Sequence, residues 1–165
     1  MFELKPLSRE AIPKALEKAD RYRLLNEPAE AESICMDVLA AEPDNQRALV
    51  TLILALTDQF GQQRFSVGDN RCEEFVARIR DEYERAYYAG VVCERRAKAA
   101  YSRQRGGAMA YEWFREAMGW YEKAERLRPA GNDEALLRWN TCARIFQHNR
   151  DLQPTEEPSV EPYLE

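Results

Sequence analysis

The chain has 165 residues, 45% apolar and 32% charged, with 24 basic against 29 acidic side chains and a net charge of −5. That size suits one compact domain or one short helical array, and the composition excludes a disordered chain and a membrane-embedded one. No apolar run approaches the roughly 18 residues a transmembrane helix needs. The opening "MFELKPLSRE" lacks the basic start and continuous apolar stretch of a secretory leader, so a cytoplasmic location is expected.

Periodicity is helical nearly throughout. Ser8 can cap a first helix and Pro13 is tolerated near its first turn; Ile12, Ala15, Leu16, Ala19 and Tyr22 then form one apolar stripe. Asn26 and Pro28 separate it from a second helix carrying Ala31, Ile34, Cys35, Val38 and Leu39. Pro43 stops that one, and Asp44 or Asn45 caps a third. From Ala48 to Leu56 the third helix is apolar almost all round, so it must be covered on several sides. Residues 61–69 read as a loop. A shorter helix follows with Cys72, Phe75, Val76 and Ile79 on one face, and it meets the next somewhere in 80–84.

The fifth helix carries Tyr83, Tyr87, Gly90, Val91, Ala97 and Tyr101 and breaks at Gly106 and Gly107. The sixth is expected over about 108–128, with Tyr111, Trp113, Phe114, Ala117, Trp120, Tyr121 and Ala124. Pro129 and Gly131 end it. Asn132 can cap a seventh helix bearing Leu136, Trp139, Ala143 and Phe146. The domain is thus expected over 1–150, followed by an acidic, proline-containing tail over 151–165.

The acidity sits in that tail. Asp151, Glu156, Glu157, Glu161 and Glu165 have no base among them, which leaves the preceding residues with equal numbers of acids and bases. A neutral body argues against non-specific nucleic-acid binding, which relies on counterion release by a basic surface. The tail is expected to be mobile in dilute solution. Exposed ion pairs contribute about 0–1 kcal/mol each, against about 1–2 kcal/mol to order each residue, and Val160, Tyr163 and Leu164 narrow that gap without closing it.

One pattern occurs twice. Ala31, Cys35, Val38 and Pro43 stand at the same spacing as Ala117, Tyr121, Ala124 and Pro129. A small residue where helices cross, two apolar positions on the same face and a closing proline resemble the second helix of a tetratricopeptide (TPR) repeat. The first-helix half of that pattern is matched in part. Ala19 and Tyr22 fit, as does Gly90 after Ala89, while Ala15, Lys18, Ala86 and Cys93 depart from the large apolar residues. The resemblance covers about residues 8–148 and implies an all-α superhelix of about three antiparallel helix pairs plus a C-terminal capping helix.

The resemblance also implies a concave groove lined by the first helix of each pair. Its face would present Leu16, Asp20, Arg23, Leu24, Arg47, Val50, Leu54, Thr57 and Asp58, extended by Tyr87, Val91, Glu94 and Arg95. The TPR subset that grips a partner's terminal carboxylates uses lysine, asparagine and arginine at set positions. Leu16, Asp20, Thr51 and Glu84 stand there instead, so that clamp is absent.

Other clusters have plainer readings. Arg95, Arg96, Lys98, Arg103 and Arg105 form the one basic run, which suits a helix C-terminus; docking of an acidic partner, a phosphate or RNA is the alternative. Trp113, Ala117, Trp120 and Tyr121 recur at helical spacing, as core residues do. Cys35, Cys72, Cys93 and Cys142 lie apart with no CxxC pair, so reduced, buried thiols are expected in place of a metal site or disulfides. His148 is the single histidine, and no phosphate loop, nucleophile elbow or metal-spacing motif is present.

The expectation is a non-catalytic, cofactor-free adaptor that binds a protein or peptide, with no nucleic-acid or membrane partner. A dedicated chaperone of the secretion-chaperone kind and a self-associating structural module are the alternatives.

Overall fold

The computed structural model describes residues 1–62, 70–103 and 106–155, and these are all-α. A 3-10 turn, Arg9–Ala11, leads into α1 (Ile12–Leu24), α2 (Pro28–Ala41), α3 (Gln46–Asp58), α4 (Arg71–Ala77), α5 (Glu82–Tyr101), α6 (Gly107–Leu127) and α7 (Glu134–His148). Consecutive helices pack on one another, and α1–α3 and α3–α5 also touch. Short connections between packed neighbours make the pairs α1/α2, α2/α3, α5/α6 and α6/α7 antiparallel.

Local chemistry sets most of the ends. Asn26 takes a positive φ of 59° to end α1, a conformation asparagine tolerates better than most residues. Pro28 then opens α2, where its missing N–H costs nothing. Asn45 caps α3, its Oδ1 accepting from Ala48 N at 2.9 Å, and Asp81 caps α5 by accepting from Glu84 N at 2.8 Å. Asn132, expected as the cap of α7, lies one residue before the actual N-cap Asp133, and its Oδ1 accepts from Glu134 N at 3.1 Å and from the Tyr83 hydroxyl at 3.2 Å, tying the start of α7 to α5.

Two expectations shift. The Ser8 side chain makes no cap bond, and the turn it precedes is 3-10 before α1 begins at Ile12. The fourth helix is a stub of 7 residues, so Ile79 lies beyond its end yet is buried. The loop expected over 61–69 lies mostly outside the described residues. So do Arg105 and residues 156–165, on which the expected mobility of the tail rests. Before them the chain stays packed: Leu152 is buried, and Asp151 accepts from the Tyr101 hydroxyl at 3.0 Å.

The core has two parts. One is formed by α1–α4 around Leu16, Ala19, Ala31, Cys35, Leu49, Leu52 and Ile53. The other is formed by α5–α7 and the chain just after, around Phe114, Ala117, Tyr121, Ala135, Cys142 and Leu152. As expected, α3 is covered on several sides, by α1, α2, α4 and α5. Ala31 and Ala117 are both wholly buried. Gly90 lets α6 approach: a Cβ there would lie 2.5 Å from the Tyr121 ring, so any larger residue displaces it. No described helix is long and apolar enough to cross a membrane.

Candidate functional site

The expected groove residues divide into three fates. Several come together across helices distant in sequence. Arg47 Nη2 pairs with Asp20 Oδ2 at 2.8 Å, and the Thr51 hydroxyl donates to Asp20 Oδ1 at 3.3 Å. Arg23 Nε donates to Asp58 Oδ2 at 2.7 Å, and Arg95 Nη1 pairs with Asp58 Oδ1. Arg95 also donates to the Thr57 hydroxyl at 3.2 Å and the Leu54 carbonyl at 3.5 Å. One row of polar contacts therefore runs from α1 through α3 to α5.

Others are correctly assigned to those helices but face inward. Leu16 and Val91 are core residues, at 3% and 0% exposure, and Thr57 is buried with its hydroxyl donating to Leu54 O. Leu16 and Val91 cannot reach a partner without unpacking a helix. Val50 and Leu54 are half-buried against the core, and Leu24 stands almost wholly in solvent.

Glu94 is the third case. It is buried and joined on every side: Oε2 accepts from the Tyr121 hydroxyl at 3.0 Å and from Arg138 Nη1 at 2.6 Å. Oε1 faces Lys98 Nζ at 3.4 Å and the Cys142 thiol at 3.8 Å. Arg138 in turn donates from Nε to the Tyr87 hydroxyl at 2.8 Å and lies over that ring. Burial works against the Arg138 charge, but the Tyr87 hydrogen bond and the charges around it outweigh that and raise its pKa. Burial first, then the Glu94 charge, raises the Tyr121 pKa, so the phenol stays a donor. Glu94 thus fixes α5, α6 and α7 to one another.

Sequence reasoning missed Arg138 and its pairing with Glu94. A signal was present. Arg138 falls three residues after Ala135 and four before Cys142, on the buried stripe of α7, and Glu94 likewise precedes Ala97 on the buried face of α5. A base and an acid each placed on a core stripe demand a buried partner.

The basic run divides by helical phase. Arg95 and Lys98 point toward Asp58 and Glu94, whereas Arg96 turns away to Glu73 and stacks over Trp113. Thr57, Asp58, Arg95, Lys98, Ser102 and Arg138 enclose an open concavity of about 480 Å³. A second concavity, of about 470 Å³, lies beside α4 with Val76, Ala89, Trp113 and Trp120 on its walls. The aromatic run is therefore split: Phe114 and Tyr121 fill the core, and the two tryptophans are half-buried at this cleft.

The four cysteines are buried and form no disulfide among the described residues. Burial pushes the thiols of Cys35, Cys93 and Cys142 up to about 12, which leaves almost no thiolate near neutral pH. His148 Nδ1 sits 2.7 Å from the Arg144 carbonyl on an exposed helix end.

What the geometry defines is a class: an all-α stack whose alternate helices share one charged face. No family model matches the chain, and searches of curated proteins and of solved structures find no match for it.

Proposed function

We propose that the chain is a non-catalytic protein-interaction adaptor of TPR-like organisation, binding a protein segment on the face shared by α1, α3 and α5. The observation that carries this reading is the cross-helix row Asp20–Arg47, Arg23–Asp58–Arg95. Each contact joins α1 to α3 or α3 to α5, the first helices of successive pairs in this reading. Two further observations support it. The crossing residues Ala31 and Ala117 are both wholly buried, and the raised thiols offer no ready nucleophile. The short α4 and the long α5 and α6, of 20 and 21 residues, make the array irregular.

Photo-crosslinking in the native cell tests it. A crosslinking residue in place of Leu24 or Arg47 is expected to trap a discrete protein, and one in place of exposed Arg115 on α6 is not. Equal adducts from both faces, or none from either, overturn the reading. A mass that doubles with concentration in light scattering replaces it with self-association.

A further inference from the structure

We propose that the concavity between α3, α5 and α7 is a binding site for an acidic segment of a partner protein, seating a carboxylate or phosphate against Arg95, Lys98 and Arg138. The inference rests on the protein-binding reading and gives it a ligand chemistry.

Charge is the first argument. Each acid at this place holds two bases: Asp58 takes Arg23 and Arg95, and Glu94 takes Lys98 and Arg138. Both acids are thereby outnumbered, in a chain whose net charge is −5. The imbalance is sharper at the surface, because the Glu94 side chain is 1% exposed while Lys98 and Arg138 are 50% and 32% exposed. Solvent meets the cations and not the anion that holds them.

Preorganisation is the second. Arg95 is held by Asp58, the Thr57 hydroxyl and the Leu54 carbonyl, all through Nη1. Arg138 is held by the Tyr87 hydroxyl and Glu94. Their side chains are ordered before any ligand arrives, so binding need not freeze them. Planar guanidinium groups so fixed suit the paired oxygens of carboxylates and phosphates.

Shape is the third. An open concavity of about 480 Å³, walled by Thr57, Ala99 and Ser102, admits side chains of an extended segment. The compact group of cations does not form the long basic stripe with aromatic platforms that tracks a nucleic-acid strand.

Fluorescence anisotropy of labelled peptides with the full chain tests this. An octaglutamate peptide and a phosphoserine peptide of equal length are the probes, with an octaserine peptide as the neutral control. Either acidic probe, or both, is expected to bind saturably, more weakly as salt rises, and the stronger of the two names the anion preferred. Lys98→Glu is expected to weaken binding roughly tenfold, the scale of one charge-assisted bond. Lys123→Glu, an equal charge change over Trp120 on the far side of α6, is expected to leave it unchanged. Both substituted side chains are solvent-exposed, so circular dichroism should report intact helices. Absence of saturable binding, equal losses in the two variants, or a uridine oligonucleotide competing as well as the acidic peptide overturns the inference. Crosslinking at Leu24 or Arg47 without acidic-peptide binding leaves the adaptor reading standing and removes this one alone.

Discussion

The N-terminal and C-terminal halves close the same kind of helix crossing with different contrasts of bulk, slight in one and extreme in the other. In α1/α2 the motif positions hold Ala19 and Cys35, both wholly buried in one cluster. In α5/α6 the corresponding positions hold Gly90 and Tyr121, with no room for a Cβ between glycine and ring. A larger side chain on one helix is met by a smaller one on the other, so the interhelical space is filled in each half. The large residue brings something the small one cannot. Tyr121 carries a hydroxyl into the core, and the hydroxyl finds Glu94. The N-terminal core is apolar apart from such edge contacts as Gln59 to Glu32 at 2.8 Å, while the C-terminal core is organised around an acid.

Breaking that acid gives the largest expected effect. Glu94→Ala strands the Tyr121 hydroxyl and removes the partner of Arg138. Losing one member of a buried pair costs about 3–5 kcal/mol; Arg138 is partly solvated, which places the loss near the lower end. Asp20→Ala, in an exposed pair of the N-terminal half, is expected to cost under about 1 kcal/mol. Urea denaturation of the two variants measures the contrast, and equal midpoints would remove it.

The crossings themselves come next. Ala31→Leu and Ala117→Leu should each overpack a crossing and cost about 1–3 kcal/mol. Melting temperatures unchanged in both would show that the repeated pattern has no common packing role. Gly90→Ala belongs with them, since its methyl group must push a ring that Glu94 holds in place.

Alkaline pH sharpens the comparison further. The thiols of Cys35, Cys93 and Cys142 are raised from an ordinary 9.0 to about 12, chiefly by burial. An unfolded chain then loses these protons first, so the stabilisation is complete below pH 9 and falls away as pH rises toward 12. Each thiol costs about 1.4 kcal/mol per pH unit in that window. Two of the three are in the C-terminal core. Replacing Cys142 or Cys93 with alanine should each flatten the alkaline decline in a pH series of denaturant melts. An unaltered slope would mean the thiols are already solvated in the folded chain.

The smallest effect has the opposite sign. Gly119 has nothing near the position of its absent Cβ and faces solvent within α6. Gly119→Ala should stabilise by about 0.4–1 kcal/mol, where the same change at Gly90 destabilises. If calorimetry shows both glycines responding alike, the close approach of Tyr121 is not what keeps residue 90 small.

Much of the fold was legible in the order of residues. The stripe on α1, the all-round apolarity of α3, the stops at Asn26 and Pro43 and the cap at Asn45 are local matters, decided by side chains within a turn of one another. The end of α4 was not legible, because Ile79 continues the apolar pattern while the backbone has already left the helix. The groove residues were legible by helix and only partly by direction. Asp20, Arg23, Arg47, Asp58 and Arg95 meet across α1, α3 and α5, while a rotation of a fraction of a turn carries Leu16, Val91 and Glu94 into the core.

The sequence by itself determined that the chain is helical, where most helices begin, and that two crossings share a small residue. Only the tertiary structure decided which charges meet. Helix formation depends on neighbours a few residues away, whereas the pairing of Glu94 with Arg138, 44 residues further on, depends on the rotation and offset of α7 against α5. Those are set by the whole packed interface, in which Gly90 admits the Tyr121 ring and Cys142 meets Glu94, contacts that no local pattern records.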